Sequence, residues 1–234
     1  MSDLRIALIP EGTTDYEVIN AALRAILGNR PFVLTAFYPE KTQPEFGAGW
    51  GGVLKWCNQA AESGYTSLES YPVLSGFDLV IIHADADVAS KRYGNCGPAI
   101  EELAIRRAWG ALPCAVHCPP PLPTVECLER TITGWLGGAI PGKQTVFCIP
   151  SKSTGTWLAA ACFPSTHRIL RDGECDLGLE DRLSTLKRDE KIKKTAAQYR
   201  AKASRVTNNW DSVKSLCSSA QRFEAKFLSI IPAK

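Results

Sequence analysis

Short apolar runs alternate with amphipathic segments through the first two thirds of the chain. The runs are rich in β-branched side chains and end at Pro, Gly or acidic residues, as buried strands do. The segments between them carry apolar side chains at three- and four-residue spacing, which predicts helices. Such alternation is typical of an α/β fold in which helices cover a largely parallel sheet.

The pattern also gives approximate bounds for these elements. Strands are predicted over Leu4–Ile9, Phe32–Phe37, Phe77–Ile82 and Thr145–Ile149, with a further short strand over Cys114–Cys118. Helices are predicted over Thr14–Leu27, Val53–Glu62, Pro98–Trp109, Thr124–Leu136 and Trp157–Phe163.

The chain changes character after residue 165. Polar helical segments near Glu180–Arg188, Lys191–Ser204 and Asp211–Leu228 follow, without a further strand pattern. We therefore predict an α/β domain over residues 1–165 and a basic helical extension over residues 166–234, packed on that domain. Between residues 182 and 205 nine Lys or Arg residues stand against two acidic ones, a net charge of +7, whereas the whole chain carries +3.

Composition excludes several classes of protein. With 234 residues, 45% of them hydrophobic and 22% charged, the chain can bury a core and is neither a disordered polyelectrolyte nor a histone-like protein. The absence of a long apolar run predicts no membrane association and no secretion signal. Its nine cysteines are odd in number and scattered, which predicts reduced thiols and a cytoplasmic location.

Acidic side chains follow two of the predicted strands. Glu11 comes after the first strand, and Asp85 and Asp87 come after the strand that ends at Ile82. The carboxyl ends of parallel strands meet at one edge of a sheet, and residues i and i+2 of an extended segment face the same side. Converging carboxylates repel one another unless a cation lies between them, so we predict Mg²⁺ or Mn²⁺ as cofactor. Such a cation can activate water and stabilise the leaving oxygen in phosphodiester cleavage.

Each of these residues also has a structural interpretation. An Asp-x-Asp sequence after a strand often forms a turn or a helix cap. Asp15, four residues after Glu11, either reaches the same edge or places a favourable negative charge at the start of a helix. His83, two residues before Asp85, is either a supporting group for a metal or a hydrogen-bonded core histidine.

At these residues the chain resembles the Toprim domain, the metal-binding α/β module of topoisomerases, bacterial primases and the overcoming-lysogenization-defect (OLD) nucleases. The resemblance rests on the turn from Glu11 to Asp15 (EGTTD) and on the Asp85-Ala86-Asp87 pair about seventy residues later, and it covers roughly residues 4–165. The EGTTD form is similar to that of OLD-type nucleases and small bacterial Toprim proteins, which are often found beside ATPases in phage defence.

The resemblance implies a Toprim-type, metal-dependent nuclease that acts on DNA or RNA, with an ATPase as a further partner. Glu11 and Asp15 would serve one metal ion, and Asp85 and Asp87 the other. Together with Lys194, which would stabilise the transition state, these four residues form the implied catalytic set.

One departure from the pattern keeps other functions open. Small Toprim proteins commonly carry an acidic residue just ahead of a Trp-Leu helix, and this chain has Ser153, Thr154 and Thr156 before Trp157 instead. A catalytically weak interaction module that partners an ATPase or nucleic acid is therefore the alternative. A phosphatase or nucleotide hydrolase that uses the same acidic edge is also compatible with these residues.

Basic residues supply the predicted contacts to nucleic acid. Clustered Lys and Arg side chains bind a phosphate backbone by releasing counterions, although a solvated helical face has the same composition. The predicted nucleic-acid-binding residues are Lys152, Lys187, Arg188, Lys191, Lys193 and Lys194.

Overall fold

A four-stranded sheet forms the centre of the computed structural model, which describes residues 3–38, 41, 44–137, 139 and 141–231. All neighbouring strands are parallel, in the order β2-β1-β3-β4. This confirms the predicted α/β fold with a parallel sheet flanked by helices. The strands are β1 (Leu4–Ile9), β2 (Phe32–Ala36), β3 (Leu79–His83) and β4 (Thr145–Cys148).

Nine α-helices lie within the described ranges, and they begin and end close to the predicted positions in the first two thirds of the chain. The helices in that part of the chain are α1 (Thr13–Leu27), α2 (Gly49–Glu62), α3 (Pro98–Arg106), α4 (Leu122–Leu136) and α5 (Thr154–Cys162). The C-terminal helices are α6 (Leu179–Thr185), α7 (Ala196–Asn208), α8 (Trp210–Leu216) and α9 (Ser218–Ile230).

Helices bury both faces of the sheet. On one face, β1 and β3 place Ile6, Leu8 and Ile81 in a core with α1, α5 and the C-terminal helices. On the other face, alternate residues such as Ile9 and Ile82 pack against α2 and α4. Helix α7 packs on α1 and α5, so the residues after 165 share one core with the sheet. The division into two parts stays a prediction.

The register of the sheet brings three strand ends to the same edge. Ile9 of β1 pairs with Ile82 of β3, and His83 pairs with Cys148 of β4. Each of these strands is followed by a turn and then by a helix or a 3₁₀ turn. The side chains that follow β1, β3 and β4 therefore meet, as expected for the ligand-binding edge of a parallel sheet.

The fifth strand predicted over Cys114–Cys118 does not form. The backbone N–H groups of Cys114 and Ala115 both donate to the carbonyl of Ala89, and that of Val116 donates to the hydroxyl of Thr124. These local partners replace a neighbouring strand.

A loop over residues 186–195 interrupts the basic segment between two helices. Helix α6 ends at Thr185 and α7 begins at Ala196, so the helices predicted over Glu180–Arg188 and Lys191–Ser204 are shorter than expected. The next helix starts where the Thr195 hydroxyl accepts a hydrogen bond from the N–H of Gln198.

Two cysteines depart from the prediction of reduced thiols. Cys118 and Cys175 form a disulfide with a Cα–Cα distance of 5.5 Å. The bond ties the proline-rich segment before α4 to the loop before α6. Within the described ranges, no helix is both long enough and apolar enough to cross a membrane.

Glu174, beside that disulfide, anchors the start of α9. Its carboxylate oxygens accept hydrogen bonds from the N–H and hydroxyl groups of Ser218 and Ser219. Because Glu174→Ala leaves these donors without their acceptor, we expect it to lower the free energy of unfolding by about 3 kcal/mol. Urea denaturation measures the change. A loss no larger than that of Glu102→Ala, on the exposed face of α3, would contradict this role for Glu174.

Candidate metal centre

Three buried side chains converge at the carboxyl edge of the sheet. Asp15 lies in the first turn of α1, His83 ends β3, and Asp85 follows two residues later. One ligand atom from each residue lies within 4.8 Å of the other two. The three residues are 3%, 0% and 5% exposed. This group, here called the Asp–His–Asp group, could hold a metal ion.

The imidazole of His83 lies between the two carboxylates. Its Nε2 is 3.3 Å from Asp85 Oδ1, and its Nδ1 is 4.0 Å from Asp15 Oδ2. Nδ1 accepts a hydrogen bond of 3.4 Å from the backbone N–H of Glu11. Nε2 does not have hydrogen-bond geometry with Asp85 and is a buried nitrogen without a hydrogen-bond partner in the described part of the chain. With Nδ1 as acceptor, the neutral ring carries its proton on Nε2, beside Asp85. A cation at Nε2 would take the place of this proton, which would then move to Nδ1.

Thr154, the first residue of α5, orients both carboxylates. Its hydroxyl donates to Asp15 Oδ1 at 2.7 Å, and its backbone N–H donates to Asp85 Oδ1 at 3.1 Å. The first N–H groups of a helix have no partner within the helix, so they stabilise a nearby negative charge. Thr154 thus supplies the supporting hydrogen bonds that metal-binding carboxylates commonly have.

Glu11 lies beside the Asp–His–Asp group but uses its carboxylate differently. Its Oε1 accepts a hydrogen bond of 2.8 Å from the backbone N–H of Asp85. Burial and the neighbouring carboxylates of Asp85 and Asp15 raise the pKa of Glu11 well above its ordinary value. The structure therefore brings Glu11, Asp15 and Asp85 to one edge, while the part of Glu11 as a metal ligand or catalytic residue stays a prediction.

The electrostatics of the metal-free group favour bound protons. Burial and the charge of Asp15 raise the pKa of Asp85 to about 7, although His83 opposes the change. Burial lowers the pKa of His83, but Asp15 and Asp85 outweigh that effect and raise it above its ordinary value. A positive charge, from a proton or from a cation, stabilises this arrangement.

Asp87 does not lie beside Asp85 as an extended segment would place it. A 3₁₀ turn covers Ala86–Ser90, and at its start the N–H of Ala86 donates to the carbonyl of Pro150. The carboxylate of Asp87 is partly exposed and pairs with Lys91 at 3.2 Å. The expected extended geometry is therefore wrong after Asp85, and a ligand or catalytic role for Asp87 stays a prediction.

Lys194 is held next to the Asp–His–Asp group by Glu180. Its Nζ donates to Glu180 Oε2 at 2.6 Å, and the hydroxyl of Tyr199 donates to Glu180 Oε1 at 2.8 Å. Burial lowers the pKa of Lys194, but Glu180, Asp85 and Asp15 outweigh it and raise the pKa. The ammonium group of Lys194, like His83, therefore stabilises the charged form of Asp85.

A glycine makes room for Glu180 at the start of α5. A Cβ atom on Gly155 would lie 2.5 Å from Glu180 Oε1, so a larger residue would displace this carboxylate. Gly155 follows Thr154, which contacts both aspartates. A carboxylate is therefore present near the start of α5, where the sequence shows hydroxyl residues, and α6 supplies it.

Five of the six predicted nucleic-acid-binding residues are exposed, and the sixth, Lys152, is buried. Lys187, Arg188, Lys191 and Lys193 lie on the surface of the loop between α6 and α7, which leads to Lys194. Lys152 is 7% exposed, in a left-handed conformation with φ of 67°, directly before the residues that support Asp85. Contact of these six residues with nucleic acid stays a prediction.

Sequence reasoning singled out the two aspartates but gave His83 only a supporting or structural role. The spacing His83-x-Asp85 was the available signal, because alternate residues at a strand end share a side. The sequence marks Thr154 only as one of the hydroxyl residues before Trp157. No local signal marks Glu180, because it pairs with Lys194 from a separate helix. Comparisons with protein-family models, curated proteins and solved structures find no match. The Toprim resemblance stays a prediction.

Proposed function

We propose that this protein is a metal-dependent hydrolase of phosphodiester bonds in DNA or RNA, with Asp15, His83 and Asp85 as the metal ligands. The observation that carries the proposal is the convergence of one ligand atom from each of these three buried residues within 4.8 Å, with both carboxylates held by Thr154. Three ligands from the protein leave positions for water and for a phosphate oxygen.

The donor set also suggests which cation binds. Carboxylates suit Mg²⁺ and Mn²⁺ alike, whereas an imidazole nitrogen is a softer ligand that Mg²⁺ seldom takes. We therefore propose Mn²⁺ as the better cofactor of the two, with Mg²⁺ as the weaker substitute. When bound, such a cation lowers the pKa of a water molecule and stabilises negative charge on the phosphate.

The basic loop supports a polymeric substrate. Lys187, Arg188, Lys191 and Lys193 are exposed and lie in the segment that leads to Lys194 at the metal centre. A phosphate backbone that follows this loop would reach the centre, where Lys194 adds positive charge. Only the motif resemblance supports an ATPase partner and a role in phage defence. Only the cysteine pattern supports a cytoplasmic location.

We expect the purified protein to cleave single-stranded DNA, plasmid DNA or RNA in the presence of Mn²⁺. EDTA is expected to abolish this cleavage. Asp15→Asn removes a ligand charge and is expected to reduce cleavage more than about 100-fold. Asp172→Asn, at an exposed carboxylate in the loop before α6, is the matched control and should cleave like wild type. Gel assays measure the rates. Equal cleavage by wild type and Asp15→Asn would remove the proposal.

A second candidate function is a non-catalytic module that binds nucleic acid. The near-complete burial of the Asp–His–Asp group favours it, because a substrate phosphate has little open surface through which to approach the ligands. Protein that binds nucleic acid unchanged in EDTA, binds Mn²⁺ and never cleaves would support this alternative.

A further inference from the structure

We propose that the metal centre takes a single divalent cation, and that the ammonium of Lys194, held by Glu180, supplies the second positive charge. The inference rests on the proposed function and deepens it. It departs from the two-metal arrangement that the motif resemblance implies. Glu180 and Tyr199 are then positioning residues, since they act through Lys194.

The supply of ligands supports one cation. Among the described residues, the Asp–His–Asp group is the one set of three His, Cys, Asp or Glu side chains within ligand distance. The nearby carboxylates have other partners. Asp87 pairs with Lys91, Glu11 accepts from the N–H of Asp85, and Glu180 binds Lys194 and Tyr199. A second cation at Asp87 or Glu180 would have to displace an ammonium group, and Glu11 belongs to no ligand set of three among the described residues.

The ammonium group of Lys194 is held in place by Glu180. Both oxygens of Glu180 are engaged, one by Lys194 and the other by the buried Tyr199. The carboxylate also fits against Gly155, next to the residue that contacts Asp15 and Asp85. The Lys194 side chain is nevertheless 48% exposed, so a bound phosphate can reach its ammonium group.

Hydrolysis of a phosphodiester bond requires positive charge beside the phosphate. In hydrolysis a water oxygen bonds to phosphorus while the bond to the ester oxygen breaks, and the leaving oxygen takes the electron pair. The proton that water loses is balanced by the proton that the leaving oxygen gains from solvent. Negative charge rises on the phosphate during this step, and a preorganised ammonium group stabilises it as a second cation would.

The first test counts bound ions. Equilibrium dialysis of the whole protein against Mn²⁺, followed by elemental analysis, is expected to give one tight ion per chain. Two tight ions per chain would overturn the inference and leave the proposed function intact. No tight ion would remove the metal centre itself, and with it both proposals.

The second test removes the ammonium group. Lys194 and the cation repel each other, so Lys194→Met is expected to strengthen Mn²⁺ binding about tenfold while it lowers kcat. Lys143→Met, an equal change of charge at the opposite end of β4, should alter neither quantity. Unchanged Mn²⁺ affinity in Lys194→Met would overturn the inference. Isothermal titration calorimetry measures this affinity without any need for activity.

A third variant separates positioning from simple charge. Glu180→Gln keeps the shape of the side chain but no longer holds the ammonium by an ion pair, so Lys194 becomes mobile. We expect a lower kcat with KM within about twofold of wild type and still one Mn²⁺ per chain. A kcat equal to that of wild type would show that Glu180 does not position Lys194.

Discussion

Asp85→Asn is expected to weaken Mn²⁺ binding more than about 100-fold and, at the same time, to stabilise the metal-free protein. The loss of affinity follows because a ligand loses its charge and one of three donors becomes a poor one. The gain in stability follows because Asp85 is buried beside Asp15, which makes its charged form costly without a cation. An Asn oxygen can still accept from the N–H of Thr154.

We expect the free energy of unfolding of metal-free Asp85→Asn to exceed that of wild type by about 1 to 3 kcal/mol at pH 8. Titration with Mn²⁺ and urea denaturation in EDTA measure the two effects. Asp172→Asn is the control for each. A variant that binds Mn²⁺ like wild type would show that Asp85 is not a ligand.

Asp87→Asn distinguishes the two possible ligand sets in the same experiment. If the Asp–His–Asp group alone holds the ion, this variant should keep Mn²⁺ affinity within about threefold of wild type, because Asp87 is partly exposed and paired with Lys91. A loss as large as that of Asp85→Asn would support the ligand pair expected from the sequence.

The metal-free protein should lose stability as the pH rises from about 5 to 8. The pKa of Asp85 is raised from 3.8 to about 7, so the folded state binds more protons than the unfolded state across this range. The free energy of unfolding then falls with rising pH. The raised pKa of His83 acts in the same direction, since the stability of its charged form is lost as the pH rises through that pKa.

A shift of about three pKa units sets an upper bound near 4 kcal/mol for this loss, and we expect about 2 kcal/mol. Mn²⁺ should reverse the trend, because the cation competes with the bound protons and stabilises the charged ligands above pH 7. Urea midpoints at pH 5, 6, 7 and 8, in EDTA and in Mn²⁺, measure both effects. Greater stability at pH 8 than at pH 5 in EDTA would contradict the assigned electrostatics.

The elements around the sheet could be predicted because their patterns are local. Alternation of β-branched runs with amphipathic segments is enough to predict a covered parallel sheet. The prediction of a strand over Cys114–Cys118 was wrong, and the two helices predicted in the basic segment are shorter than expected. Hydrogen bonds to Thr124 and to Ala89, which lies far along the chain, take the place of a neighbouring strand.

For the candidate site, the sequence by itself determined that Glu11 and Asp85 lie at one edge of the sheet, and it left the position of Asp15 open. Glu11 and Asp85 each follow a strand of a parallel sheet, and parallel strand ends must meet. The tertiary structure decided the composition of the site. Thr154 reaches Asp15 across 139 positions of the chain, and Glu180 and Lys194 arrive from the C-terminal helices. Such contacts depend on how helices pack across a shared core, which no local pattern of residues encodes.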